Sequence, residues 1–74
     1  MNPYSTNNLS LATVLSLYYP IVDIVPGMKG KDILFEDAEE LREHVDLFWR
    51  KELREEPITL FNAEKDLKSR IRNS

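Results

Sequence analysis

His44 is the single histidine of this 74-residue chain, and Glu40 stands four residues before it. Residues four apart share one face of a helix. Such a pair can bind a divalent cation or form an acid–base couple. A catalytic zinc site takes three protein ligands, drawn mostly from His and Cys. The chain has no cysteine and no second histidine, so the pair reads as a solvated helix flank and a metal-dependent enzyme is the remote alternative. Nucleophilic catalysis fares no better, since no serine lies in a G-x-S-x-G context. Gly27 and Gly30 are the only glycines, too few for a phosphate-cradling loop. Glu36, Asp37, Glu39, Glu40, Glu43 and Asp46 crowd one stretch. A glycosidase-like pair among them would need a pocket that raises one carboxyl pKa, and a chain this short has little room for one. The expectation is a protein that is not an enzyme, with no catalytic residues, no metal and no cofactor.

A different chemistry is available on the C-terminal segment. Lys65, Lys68 and Arg72 fall within about 60° of one another at helical spacing, with Arg70 nearby. This basic ridge can touch nucleic-acid phosphates. The plain reading is that cations belong near a helix C-terminus. Glu64 falls close to the apolar face of the same segment, beside Leu60, Leu67 and Ile71. A carboxylate there is costly unless paired, so it reads as a rim position reaching water or as an ion pair that fixes helix docking.

The elements that would hold these groups follow from periodicity. Ser5, Thr6, Asn7 and Asn8 are four consecutive candidate N-caps, and a helix is predicted from Leu9 to Leu17 or Tyr18. Its main face is Leu11, Val14, Leu15 and Tyr18. Its opposite face mixes Ser10, Thr13 and Ser16 with Leu9 and Leu17. Tyr19 to Val25 is β-branched and aromatic and reads as a strand. Pro26-Gly27 and Gly30 bound a turn, Asp32 to Glu36 returns as a second strand, and Lys29 and Lys31 fall on the exposed tip. Asp37 and Glu40 have capping-box spacing ahead of a helix with Ala38, Leu41, Val45, Phe48 and Trp49 on its stripe, Leu47 off it, and Arg50 and Lys51 in its last turn. Pro57 suits the first turn of a third helix, whose face is Leu60, Ala63, Leu67 and Ile71. The predicted fold is a small single α+β domain over residues 1–74, in α-β-β-α-α order. A two-stranded antiparallel β-hairpin packs against three helices: the second and third as an αα-hairpin, the first across the remaining gap. Residues 1–5 and 73–74 are expected to fray.

Charge divides the chain unevenly. Residues 1 to 28 hold one formal charge, Asp23, and residues 29 to 74 hold the other 22. The net charge is −3, which does not mark the whole molecule as a polyanion binder. The stretch Leu9 to Met28 is long enough to span a bilayer, but Pro20 and Asp23 interrupt it. No basic residue precedes it as in a secretory signal. No membrane association is expected, and a cytoplasmic location is. A domain this small buries only about 60% of its unfolded surface. Without disulfides or metal, oligomerisation is the remaining staple. Leu9, Thr13, Leu17 and Leu47 fall outside every face the chain can evidently cover, and contiguous exposed apolar positions mark interfaces. The expectation is a small interaction or regulatory protein that binds another protein and forms a homodimer, through those four residues. The alternative is a nucleic-acid-binding accessory protein using Lys65, Lys68 and Arg72. The acidic second helix and the basic third helix can attract each other within a chain or across a dimer. No small-molecule substrate is implied.

Leu11-Ala12, Leu34-Phe35-Glu36-Asp37, Phe48-Trp49-Arg50-Lys51-Glu52-Leu53 and Phe61-Asn62-Ala63 leading to Leu67-Lys68 also form a familiar succession. On these residues the chain resembles a family of short bacterial and phage proteins catalogued only as a domain of unknown function, over most of residues 9 to 72. The resemblance implies the same order of elements and a small accessory role. It implies no activity.

Overall fold

Asn8 opens the first helix. Its side-chain oxygen accepts the Leu11 amide at 3.0 Å, which satisfies one of the donors left over at a helix start. Thr6, another of the four candidates, instead accepts the Asn8 amide through its hydroxyl. In the computed structural model, which describes residues 3–28 and 30–73, the elements are β1 (Tyr4–Thr6), α1 (Leu9–Ser16), β2 (Ile21–Gly27), β3 (Gly30–Phe35), α2 (Glu39–Trp49) and α3 (Pro57–Asn73). Lys29 lies outside the described residues. Lys31, expected on an exposed tip, is partly buried within β3 opposite Pro26.

The sheet has three strands, not two, in the order β1-β3-β2, antiparallel throughout. Residues 1–5 were expected to fray, but Tyr4 pairs with Phe35, Ser5 with Leu34 and Thr6 with Ile33. Residues 1, 2 and 74 lie outside the description. β2 begins two residues later than expected, because Tyr18 and Tyr19 donate back to the Leu15 carbonyl and prolong the exit from α1. Val22 is bulged out between Ile21 and Asp23. Gly30 closes the hairpin with φ 122°, backbone that only glycine adopts without strain. Alternation along β3 turns Ile33 and Phe35 into the core and leaves Leu34 and Asp32 on the other face.

α1 sits at the centre of the helical layer. It packs on α3 most extensively, then on α2 and β1, whereas α2 and α3 make no extensive contact with each other. The expected αα-hairpin of the second and third helices is therefore corrected: the first helix lies between them. The cause is the sequence of α1 itself. With no charge to keep in water, it can be enclosed, and Leu11, Ala12, Thr13, Val14 and Leu15 are all buried. They join Ile33, Phe35, Leu41 and Leu67 in the core.

The α2 N-terminus also departs from expectation. Ala38 is the N-cap and no side chain caps the helix. Asp37 instead takes Arg42 in a two-pronged ion pair, at 2.9 and 2.5 Å, and that hydrogen-bonded guanidinium holds the Asp37 carboxyl below its ordinary pKa. At the other end the Lys51 amide donates to the Phe48 carbonyl and the Glu52 amide to Leu47, both at 3.0 Å. This is a Schellman closure, whose C′ position usually holds glycine. Lys51 occupies it at φ 59°, a left-handed conformation that costs a β-carbon-bearing residue about 1 kcal/mol. Lys51→Gly should therefore raise the unfolding free energy by about 0.5–1 kcal/mol, read as a higher urea midpoint at unchanged slope. An unchanged or lower midpoint would show that Lys51 is held there by something other than the turn.

Candidate functional site

The sequence expectation centred on the Leu9, Thr13 and Leu17 side of α1, and the chain covers that side itself. Thr13 is only 3% exposed, and its hydroxyl donates to the Leu9 carbonyl at 2.7 Å. Leu17 borders a small hollow with Ala63 and Leu67 of α3. Leu9 packs against the core and lines a hollow with Ile33 and Ile71. Leu47 is half-buried. The reason is tertiary: α3 crosses the face of α1 that a period count leaves bare. These four residues do not form a common open surface; the large apolar side chains that are exposed among the described residues are Tyr18, Val22, Met28, Trp49, Ile58 and Phe61.

Trp49, Ile58 and Phe61 cluster in the chain where α2 ends and α3 begins, and the gap between these helices opens onto the Ser10, Thr13 and Val14 side of α1, which shares Thr13 with the predicted interface. A cavity of about 430 Å³ is floored by Ser10, Thr13 and Val14, walled by Phe48 on one side and by Leu60 and Phe61 on the other, and bounded by Glu55 and Glu64. An adjoining hollow of about 510 Å³ shares its floor and adds Trp49, Lys51 and Leu53. Trp49, Ile58 and Phe61 are 59%, 68% and 53% exposed. A contiguous exposed apolar patch, unlike a single exposed side chain, marks an interaction surface. The positions of these three residues explain why a sequence reading misses them. Trp49 lies on the apolar stripe of α2 and reads as core, but α2 ends there and the chain turns away. Ile58 and Phe61 precede the part of α3 that reaches α1 most closely, around buried Leu67.

The segment between α2 and α3 crosses this gap. Glu55 on that segment accepts the Tyr18 hydroxyl, which ties the connector to the end of α1. The Tyr18 ring stacks on His44, with centroids 4.7 Å apart and planes 35° from parallel, and the Tyr19 ring meets His44 edge-on at 5.5 Å. His44 Nδ1 lies 2.9 Å from the backbone carbonyl of Glu40 and 2.9 Å from the Tyr19 hydroxyl. The Glu40–His44 couple is thus a side chain bonded to backbone, and its ring is occupied by two tyrosines. Among the described residues no group of three or more His, Asp or Glu side chains is placed to hold a metal ion. No described helix is long and apolar enough to cross a membrane.

The basic ridge is arranged differently from its sequence pattern. Lys68 faces Glu64 across 3.9 Å, an exposed pair of the kind that contributes about 0–1 kcal/mol. Glu64 is itself partly exposed at the cavity rim. Lys65 Nζ lies 5.4 Å from the centre of the Phe61 ring, within cation–π range. An aromatic therefore adjoins the ridge, at the i, i+4 spacing of Phe61 and Lys65.

The Tyr18–Glu55 bond has a pH signature. The hydrogen bond to Glu55 raises the Tyr18 pKa, with desolvation and the carboxylate charge adding to it. The neutral phenol is the bonded form. The stabilisation is therefore complete below the ordinary tyrosine pKa of about 10 and is lost as pH rises through the higher folded value. Ring resonances of Tyr18 should titrate above the ordinary range, and Glu55→Gln should bring the titration back down. An identical titration in both proteins would show that the tie is absent in solution.

The chain matches no family model, and no curated protein or solved structure is similar to it.

Proposed function

We propose that this chain is a non-enzymatic interaction or regulatory protein that acts by binding another protein surface. The observation that carries the reading is the exposure of Phe61 and Trp49, which line two adjoining hollows floored by α1. Aromatic residues beside a pocket are the usual anchors of protein recognition, and the rim offers Glu55, Glu64 and Lys51 for orientation. This reading centres the contact on Trp49 and Phe61 and keeps Thr13, of the four residues expected from sequence, in the cavity floor. A small accessory role also fits the resemblance to short bacterial and phage proteins.

One observation favours a second reading, nucleic-acid binding through Lys65, Lys68 and Arg72. Lys65 over Phe61 puts a cation and a stacking surface side by side, which suits a single strand. The nearby Glu64 and the small number of cations weigh against it.

Immobilised full-length chain separates the two readings. Proteins retained from a native-host lysate after nuclease treatment, and lost with a Trp49→Ser/Phe61→Ser variant that melts like the parent, are the expected result. Equal retention by both proteins, or none, would overturn protein binding through this surface. The nucleic-acid reading requires binding to a mixed-sequence single strand that weakens steeply with salt, and an absence of binding at low salt removes it.

A further inference from the structure

The helices on either side of the cavity carry opposite charge, and the fold keeps them apart. α2 holds Glu39, Glu40, Glu43 and Asp46 against one arginine, and that arginine, Arg42, is engaged by Asp37 ahead of the helix. Among the described residues Glu39, Glu40 and Glu43 have no ion-pair partner. α3 holds Lys65, Lys68, Arg70 and Arg72 against Glu64 and Asp66. Attraction between the two helices within one chain is the obvious way to use these charges, but α1 lies between them and they make no extensive contact.

The order of the groups is also suggestive. The acids occupy the N-terminal part of α2. The exposed apolar residues Trp49, Ile58 and Phe61 sit where α2 ends and α3 begins, and Trp49 and Phe61 line the two adjoining hollows. The bases follow along the remainder of α3. Along the chain from the start of α2 to the end of α3 the order is acid, apolar, base. Such a pattern is complementary to itself: a two-fold axis through the apolar centre sets the acidic helix of one copy on the basic helix of the other, twice. That is the requirement for an isologous interface. Trp49 and Phe61 would lie at its centre, where anchors concentrate, and the charges at its rim, where they select the partner and register more than they add affinity.

We infer that the occupant of this surface is a second copy of the chain, docked so that α2 of each protomer faces α3 of the other across paired Trp49–Phe61 centres. The inference rests on the protein-binding reading and names its partner. A standard interface takes about 800 Å² from each partner, a modest share of the 5447 Å² that the chain exposes.

Two charge-swap variants test it by sedimentation equilibrium: Glu39→Lys/Glu43→Lys in α2, and Lys65→Glu/Arg72→Glu in α3. All four side chains are exposed, and circular dichroism with thermal melts checks that each variant folds. The wild-type chain should dimerise. Each variant alone should dissociate at least about tenfold more readily, a cost of about 1.4 kcal/mol, because acids would then face acids or bases face bases. An equimolar mixture of the two variants should recover wild-type association, since both helix pairs are complementary again, and so should one chain carrying all four changes. A wild-type chain that stays monomeric at millimolar concentration overturns the inference. So does a dimer indifferent to both swaps, or one that mixing does not restore. If the monomer still captures a different protein that Trp49→Ser/Phe61→Ser releases, self-pairing fails while the protein-binding reading stands. If that capture fails as well, both fall.

Discussion

Helix α1 buries five consecutive residues, Leu11 to Leu15. At about 100° per residue these run more than once around the helix, so its middle is enclosed on every side. A helix of eight residues does not form by itself in water. Its helical state comes from the enclosure, and the enclosure in turn organises its neighbours. β3 supplies Ile33 and Phe35 beneath it, α2 supplies Leu41, and α3 supplies Leu67. The charges of the chain fall on the elements that surround α1 because α1 leaves them no place inside. Uncharged sequence and central position are one constraint seen at two scales.

The placement of α1 was the part of the fold least legible from sequence, although the helix itself was plain. A period count identifies which residues of a helix are apolar. It does not identify which neighbour covers them, and for Leu9, Thr13 and Leu17 that neighbour includes α3. β1 escaped notice for a local reason. Tyr4-Ser5-Thr6 is too short to carry an alternation, and it overlaps the run of capping residues Ser5 to Asn8, so only the pairing with β3 defines it. Asp37 illustrates competition between two uses of one carboxylate. Its spacing to Glu40 suits a cap, yet Arg42 captures it, which a single-residue pattern cannot foresee. The hairpin, the second and third helices, Pro57 at the start of α3 and the apolar face around Leu67 were readable because each depends on near neighbours in the chain.

Where the candidate site was missed, the cause was geometric. Trp49 has the period of a core residue and fails to become one because the Schellman turn at Lys51 ends the helix beside it. The same turn sends the connector back across α1, where Glu55 meets Tyr18. One residue in left-handed backbone thus has two effects: it leaves a tryptophan uncovered, and it directs an otherwise irregular segment to an anchor. The cavity between α2 and α3 is the space that this return path does not fill.

The sheet has its own bearing on how copies can meet. Of the two outer strands, β1 offers three residues. β2 is longer, but Val22 bulges from it and Pro26 has no amide hydrogen to offer. Asp23 turns its carboxylate onto the Ile24 amide, which removes a further donor from that border. Short strands, bulges and proline are the features that stop open β-edges from recruiting further strands. Such edges disfavour extension of the sheet from one molecule to the next.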